Sequence, residues 1–111
     1  MTVKDLCDKL SLTVLTCGDR LNRETNGCYI GDLLSWVMGR AREDAAWITV
    51  MGNINSVAVA KLADLSCIIL CEKASLDEDA RAQADANGIV ILSGEDPAYE
   101  LALKLYEASK S

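Results

Sequence analysis

The fold of this chain is decided by residues 47–71, which read WITVMGNINSVAVAKLADLSCIILC. The stretch opens with an apolar run that stops at Gly52 and Asn53, and it closes with a second short apolar run. Runs of this kind are typical of buried strands. Between them, residues 55–65 have a helical length and are apolar nearly all round. Strand, helix and strand in this order predict two parallel strands joined by a right-handed crossover.

Further helices and strands are predicted on both sides of this unit. Capping boxes are predicted at Thr2–Asp5 and at Ser75–Glu78, and Gly88 is predicted to end a helix in the left-handed conformation. The predicted helices cover residues 3–10, 32–41 and 75–87, with a last one from about residue 97, and the further strands cover residues 12–17 and 89–92. We therefore expect an α/β fold of three layers, α/β/α, with a mostly parallel sheet of about four strands and helices on both faces.

Length and charge exclude several classes of protein. The 111 residues predict a single domain over residues 1–111, and a hydrophobic content of 50% argues against intrinsic disorder. The longest uncharged run, residues 45–60, is shorter than the ~20 apolar residues that cross a bilayer. Seventeen acidic against 11 basic residues give a net charge of -6, so neither nucleic acid nor an anionic membrane is an expected partner.

The histidine and cysteine content limits the catalytic and metal-binding sites that this chain can form. The chain has no histidine, which excludes His-dependent triads and His-ligated metals. Its five cysteines are odd in number, form no CxxC pair and lie mostly among apolar residues. This usage favours free, buried thiols in a reducing, cytoplasmic compartment and gives no reason to expect a metal or a cofactor.

The ends of the predicted strands are the candidate ligand site, because ligands of open parallel sheets bind beyond the carboxyl ends of the strands. A crevice there suits a small ligand bound partly by backbone amides. The alternative is that these glycines only allow the tight turns that such a fold needs. The candidate residues are Gly18, Asn26, Gly27, Gly31, Asp32, Asn53 and Asn55.

The sequence contains no recognisable set of catalytic residues. A Walker loop and the G-x-G-x-x-G pattern are both missing. Cys28 lies in a polar loop but has no histidine to activate it, which favours an incidental thiol. An enzyme would require Cys28, Asp19 and Asp32 to converge in a deep pocket.

A second copy of the chain is an expected partner. The 55–65 helix is too apolar to be exposed on every side, so either the core or another subunit covers it. Trp36 lies off the apolar stripe of its helix and either contacts a neighbouring subunit or folds onto its own helix. The candidate dimer-interface residues are Trp36, Val57, Val59 and Leu62.

Residues 21–38, LNRETNGCYIGDLLSWVM, resemble the DRTGG domain family. The resemblance extends over about residues 2–108, although its later segments are general α/β patterns. Asn26-Gly27-Cys28 stands where the family has Thr-Gly-Gly, so Gly27 matches while the threonine and the second glycine are replaced. A cysteine in place of glycine adds a side chain where close backbone approach would otherwise be open.

This resemblance implies a regulatory or interaction module without catalysis of its own. Relatives occur beside CBS domains in regulatory pyrophosphatases and in some phosphotransacetylases, and stand-alone versions are often labelled as related to HPr serine kinase. Kinase activity would need a Gly-rich phosphate loop with a lysine, which the sequence lacks. The resemblance further implies a homodimer accessory to fermentative or hydrogenase metabolism, with a protein partner. Sensing of a small adenine-nucleotide-like ligand is the alternative.

Overall fold

The central strand–helix–strand unit forms as its sequence predicts. In the computed structural model, which describes residues 1–110, β3 covers Ala46–Thr49, α3 covers Ile54–Leu62 and β4 covers Cys67–Leu70. The two strands pair in parallel, with Trp47 opposite Ile68, and every residue of both strands is buried. Because both faces of these strands are covered, they are apolar throughout rather than alternating.

The remaining elements complete a five-stranded sheet. They are α1 Val3–Leu10, β1 Thr13–Val14, β2 Cys28–Ile30, α2 Leu34–Arg40, α4 Glu78–Asn87, β5 Ile91–Ser93 and α5 Ala98–Ser109. The strand order is β1-β5-β4-β3-β2, and only β1 is antiparallel to its neighbour. The predicted α/β fold with a mostly parallel sheet is confirmed. The number of strands is corrected from about four to five, because β2 forms inside a segment predicted to be loop.

Helices cover both faces of the sheet and make two separate cores. On the first face, α1 and α5 pack on the side chains of Ile48 and Leu92, among others. On the second face, α2, α3 and α4 pack on the side chains of Trp47 and Ile91. Successive residues of β3 thus alternate between the two cores, as the pleat requires. We call these surfaces the α1/α5 face and the α2/α3/α4 face.

Two predicted helix termini are confirmed in atomic detail. The Asp5 amide donates to the Thr2 hydroxyl over 3.1 Å, and the Thr2 amide donates to the Asp5 carboxylate over 3.0 Å. This reciprocal pair is the predicted capping box of α1. Gly88 ends α4 with a φ of 71°, a left-handed conformation that glycine adopts without steric cost.

The second predicted capping box, at Ser75–Glu78, was wrong. The N-cap of α4 is Asp77, not Ser75, and its side chain makes no capping hydrogen bond. The start of the helix is held instead by backbone contacts with the turn after β3, where the Asp77 amide donates to the Gly52 carbonyl over 2.8 Å. Long-range contact at the sheet edge therefore overrides the local capping signal.

The helices are short for a membrane crossing. The longest of them, α5, has 12 residues, and no helix within residues 1–110 combines the length and the apolar character that a span requires.

Candidate functional site

The seven candidate ligand residues are divided between two opposite edges of the sheet. Since β1 runs antiparallel to β5, its end lies at the edge where the parallel strands begin. Gly18 follows β1, and Asn26 and Gly27 precede β2, so these three lie on the side of the amino ends. The other four follow β2 and β3 on the side of the carboxyl ends, and they are Gly31, Asp32, Asn53 and Asn55. One ligand pocket built from all seven does not form.

Asp32, at the carboxyl edge, has a structural task. Its Oδ1 accepts hydrogen bonds from the Thr49 hydroxyl over 2.6 Å and from the Val50 amide over 3.1 Å. Thr49 is buried, and its hydroxyl oxygen also accepts from the Met51 amide over 3.2 Å. Helix α2 begins at Leu34 without a side-chain cap, so Asp32 joins the end of β2 to the end of β3 and does not cap that helix.

Gly52 and Asn53 are also explained by the fold. A Cβ atom on Gly52 would lie 2.0 Å from the carbonyl oxygen of Ser75, a separation that only glycine avoids. The Asn53 side-chain oxygen accepts from the Ser56 amide over 3.0 Å and caps α3. For these two residues the turn-forming interpretation fits the contacts, whereas Asn55 is exposed at the start of the helix.

The opposite edge presents Asn26, Gly27 and Cys28 between two clefts. Backbone hydrogen bonds hold this segment on β3, with Asn26 N donating to the Asp44 carbonyl over 2.8 Å and Ala46 N donating to the Gly27 carbonyl over 3.2 Å. Gly27 has a φ of +78° and open space where a Cβ would lie. The clefts lie on either side of the edge strand, so the segment that carries the family resemblance is accessible from both faces.

The cleft on the α1/α5 face has a volume of about 290 Å³ and a mixed lining. Its walls come from the motif segment, from the amino terminus and from one side of α5, including Met1, Cys28, Leu105 and Tyr106. The cleft on the α2/α3/α4 face has a volume of about 280 Å³ and contains two arginines, its walls including Asn26, Tyr29, Arg40 and Arg42.

Positive charge distinguishes the second cleft from the rest of this acidic protein. The Arg40 guanidinium stacks 3.7 Å from the centroid of the Trp36 ring. Neither Arg40 nor Arg42 makes an ion pair within residues 1–110. Arg23, by contrast, is neutralised by Asp44 at 2.7 Å and Asp64 at 3.0 Å. We call the cleft on the α2/α3/α4 face the arginine cleft, defined by Arg40, Arg42 and the Asn26–Tyr29 segment.

The thiols are protonated at neutral pH. All five cysteines are free, and burial raises the pKa of Cys67 to about 12. Burial of its thiol also raises the pKa of Cys28 to about 11, although the residue as a whole is exposed. Cys28 begins β2 and Asp19 lies in the turn after β1, whereas Asp32 lies at the opposite, carboxyl edge of the sheet. These three groups therefore do not converge. Within residues 1–110 there is also no cluster of three metal-ligating side chains.

The four candidate interface residues separate into two pairs. Trp36 is 51% exposed and Leu62 is 74% exposed, so both lie on the surface. Val57 and Val59 lie in the core with Trp47, because they form the side of α3 that packs on the sheet and on neighbouring helices. The outward side of α3 instead presents Ile54 together with Leu62.

Sequence reasoning missed an apolar surface beside the edge strand. Ile30 is 50% exposed and Val50 is 44% exposed. Ile30 pairs with Ile48 and therefore points to the α1/α5 face, whereas Val50 lies just beyond the end of β3. Their apolar character predicts burial, and no local signal shows that α1 and α5 leave this corner of the sheet open.

Comparison with known proteins identifies the architecture. No protein-family model matches the chain, and no curated protein matches it either. A solved structure that matches contains the CBS and DRTGG domains of the regulatory region of Clostridium perfringens pyrophosphatase, in complex with its activator diadenosine tetraphosphate. The TM-score is 0.79 over 96% of this chain and 46% of that one. The chain has a DRTGG-like fold.

The likeness is one of fold, because the two sequences are only 10% identical. The chain spans less than half the length of this neighbour. Within the DRTGG-like fold, the residues that carry the sequence resemblance form β2 and α2 and the turns around them. The arginine cleft and the open corner of the sheet are therefore both built around the same segment.

Proposed function

We propose that this chain is a regulatory or interaction module that has no catalysis of its own and acts as a homodimer in the cytoplasm. The observation that carries the proposal is the set of large apolar side chains on its surface. Leu33 and Trp36, which lie three residues apart at the start of α2, are each more than half exposed. Exposed apolar residues that are grouped mark interaction surfaces, and Trp is among the residues enriched at the centres of such interfaces.

The fold supports a regulatory role. The matching region of the pyrophosphatase is named as a regulatory region, and a module of this architecture can act on a partner by binding it. The polar groups at the carboxyl edge, Asp32 and Asn53 above all, are occupied by internal hydrogen bonds. Binding through surfaces therefore fits this chain better than binding at the strand ends. A role accessory to fermentative or hydrogenase metabolism is part of the proposal and rests on the sequence resemblance alone.

Sedimentation velocity on the whole chain tests the proposal. We expect a dimer at micromolar concentration, and Trp36→Ala is expected to raise the dissociation constant at least ~10-fold, as central aromatic residues of interfaces do. Leu103→Ala, at a residue 46% exposed on α5, serves as the matched surface control and leaves the constant unchanged. A chain that sediments at 12.0 kDa up to high concentration contradicts the homodimer.

Ligand sensing is the second candidate function, and the arginine cleft favours it. Within residues 1–110, Arg40 and Arg42 have no acidic partner and lie beside an exposed Gly27 backbone, and such groups bind phosphate oxygens. The pyrophosphatase region binds a dinucleoside polyphosphate as its activator. In this chain the same chemistry points to a nucleotide with several phosphates, held at the arginine cleft.

Thermal unfolding in the presence of diadenosine tetraphosphate or ATP tests this second candidate. A ligand at 100 times its dissociation constant stabilises the folded state by about 2.7 kcal/mol. Arg42→Ser is expected to abolish the shift, while Arg20→Ser, outside the cleft, retains it. If no nucleotide raises the unfolding temperature, with or without magnesium, ligand sensing of this class is excluded and the interaction module remains.

A further inference from the structure

Within residues 1–110, no strand pairs with the outer edge of β2. Ala46 N donates to the Gly27 carbonyl and Gly31 N donates to the Ile48 carbonyl, each over 3.2 Å. In a strand, successive residues direct their N–H and C=O groups to alternate sides. Residues 27 and 31 therefore face β3, and the backbone groups of Cys28 and Ile30 face away from the sheet. An edge of this kind is a template for a further strand.

We infer that a second copy of this chain occupies the edge, with β2 of each copy paired antiparallel across a two-fold axis. This inference rests on the proposed homodimer and specifies its geometry. The two five-stranded sheets would join into one continuous sheet. Cys28 would form the hydrogen-bonded pair with the partner's Ile30, and Tyr29 would lie on the axis opposite the partner's Tyr29. The two-fold axis repeats the pairing of Cys28 with Ile30 on its other side, so both outward-facing residues of each copy find a partner.

Charge favours a second copy over an unrelated strand. The arginine cleft lies at the start of β2, and Asp32 lies just after its end. Antiparallel pairing brings Arg40 and Arg42 of one copy towards the partner's Asp32, and the reverse at the other end. Two positive groups then face an acidic one on both sides of the axis. A parallel arrangement would place like charges together, so the charge pattern also selects the antiparallel direction.

Apolar side chains cover both faces of the same edge. Arg40 lines the cleft beside Tyr29 and stacks on Trp36, so the Trp36 ring lies on the side of α2 that is next to β2. On the other face, Ile30 is half exposed, and Val50 at the end of β3 is 44% exposed. Each copy would contribute both groups next to the axis, and the paired strands would be shielded from water on both faces. Main-chain pairing with apolar cover is the usual chemistry of strand addition.

Amide hydrogen exchange on the unmodified protein, followed by NMR at several concentrations, tests the inference directly. We expect the amide protons of Cys28 and Ile30 to be protected at concentrations where the dimer is populated and to exchange rapidly on dilution. The amides of Tyr29 and Ile48, which lie inside the sheet, serve as the internal control and stay protected throughout. A dimer that joins through helices would leave Cys28 and Ile30 exchanging rapidly at all concentrations.

Two sets of variants give independent measurements. Ile30→Pro removes an outward N–H while leaving the hydrogen bonds to β3, so we expect the dissociation constant to rise ~10-fold or more. Ile30→Thr retains the N–H and a β-branched side chain, and it should change the constant much less. In a Cys28→Ser background, Tyr29→Cys should form an intermolecular disulfide, because directly opposite Cβ atoms of such a pair lie about 4.5–5.5 Å apart. Leu62→Cys in the same background should not.

The outcomes separate this inference from the proposed function. A dimer in which Cys28 and Ile30 exchange rapidly, or one that survives Ile30→Pro unchanged with no Tyr29→Cys disulfide, overturns the edge pairing and leaves the homodimer standing. A monomer at all concentrations overturns both. Protection of the two amides only when an extended peptide is added would assign the edge to a foreign strand and contradict the second copy.

Discussion

The Thr49 hydroxyl donates a hydrogen bond of 2.6 Å to the Asp32 carboxylate, and this contact joins the ends of β2 and β3. Thr49 is 2% exposed whereas Asp32 is exposed, so the bond is partly shielded from water. The same carboxylate oxygen accepts from the Val50 amide. A three-residue edge strand has few other attachments, and we regard this pair as a main reason why β2 stays in register with the sheet.

Thr49→Val is expected to destabilise the protein by about 1–3 kcal/mol, because it removes a hydrogen bond to a charged group and leaves the Met51 amide without its side-chain acceptor. Urea unfolding measures the change. Asp32→Ala, which removes the acceptor, should reduce the cost of Thr49→Val, with a coupling of about 0.5–3 kcal/mol in a double-mutant cycle. Asp19→Asn is the control and should change stability by less than about 0.5 kcal/mol. Additive effects of the first two substitutions would contradict the direct bond.

Gly52→Ala and Gly39→Ala are expected to have opposite effects. A Cβ on Gly52 would lie 2.0 Å from the Ser75 carbonyl oxygen, and backbone must move to admit it. We expect a loss of about 1–3 kcal/mol or more in the free energy of unfolding. Gly39 lies in α2 with open space around the same position, so alanine should stabilise the protein by up to about 1 kcal/mol. Equal effects of the two substitutions in thermal unfolding would refute this reading of Gly52.

The capping box of α1 makes stability depend on pH in the acid range. Hydrogen bonds from the Thr2 amide and the Thr2 hydroxyl hold the pKa of the Asp5 carboxyl below its usual value of 3.8. A lowered folded-state pKa means that the stabilisation is complete above the unfolded value and is lost as pH falls through the folded one. Urea midpoints measured from pH 6 down to pH 2 should therefore fall less steeply for Asp5→Ala than for the unmodified chain. Parallel curves would show that Asp5 contributes nothing to the slope.

Thiol modification should separate Cys28 from Cys67. With its pKa raised to about 11, Cys28 is almost wholly protonated at pH 8, and we expect it to react at least ~10-fold more slowly than a free cysteine. Its rate should rise with pH up to that value, and Cys28→Ser should remove this phase. Cys67 is 1% exposed and should react only after unfolding. A fast phase at pH 7 that Cys28→Ser abolishes would contradict the protonated thiol.

Much of the fold is predictable because its signals are local. The capping box at Thr2 and Asp5 and the C-cap at Gly88 depend on residues within one turn of each other, and each strand and helix of residues 46–70 has its own apolar pattern. Hydrophobic period and turn chemistry report such features directly. The same signals fail at Ser75, where a contact with the distant Gly52 determines how the helix begins.

The candidate site depends far more on long-range pairing. The sequence alone determined a three-layer α/β protein with free thiols and an acidic surface, since periodicity and composition are properties of the chain itself. Only the tertiary structure decided that β1 is antiparallel, which moves Gly18 to the edge opposite Asp32. It also decided that Cys28–Ile30 is an edge strand, because those three residues are held by β3, whose residues lie 18 positions away in the sequence. Strand pairing between distant segments has no local signal, and the open edge at β2 follows from it.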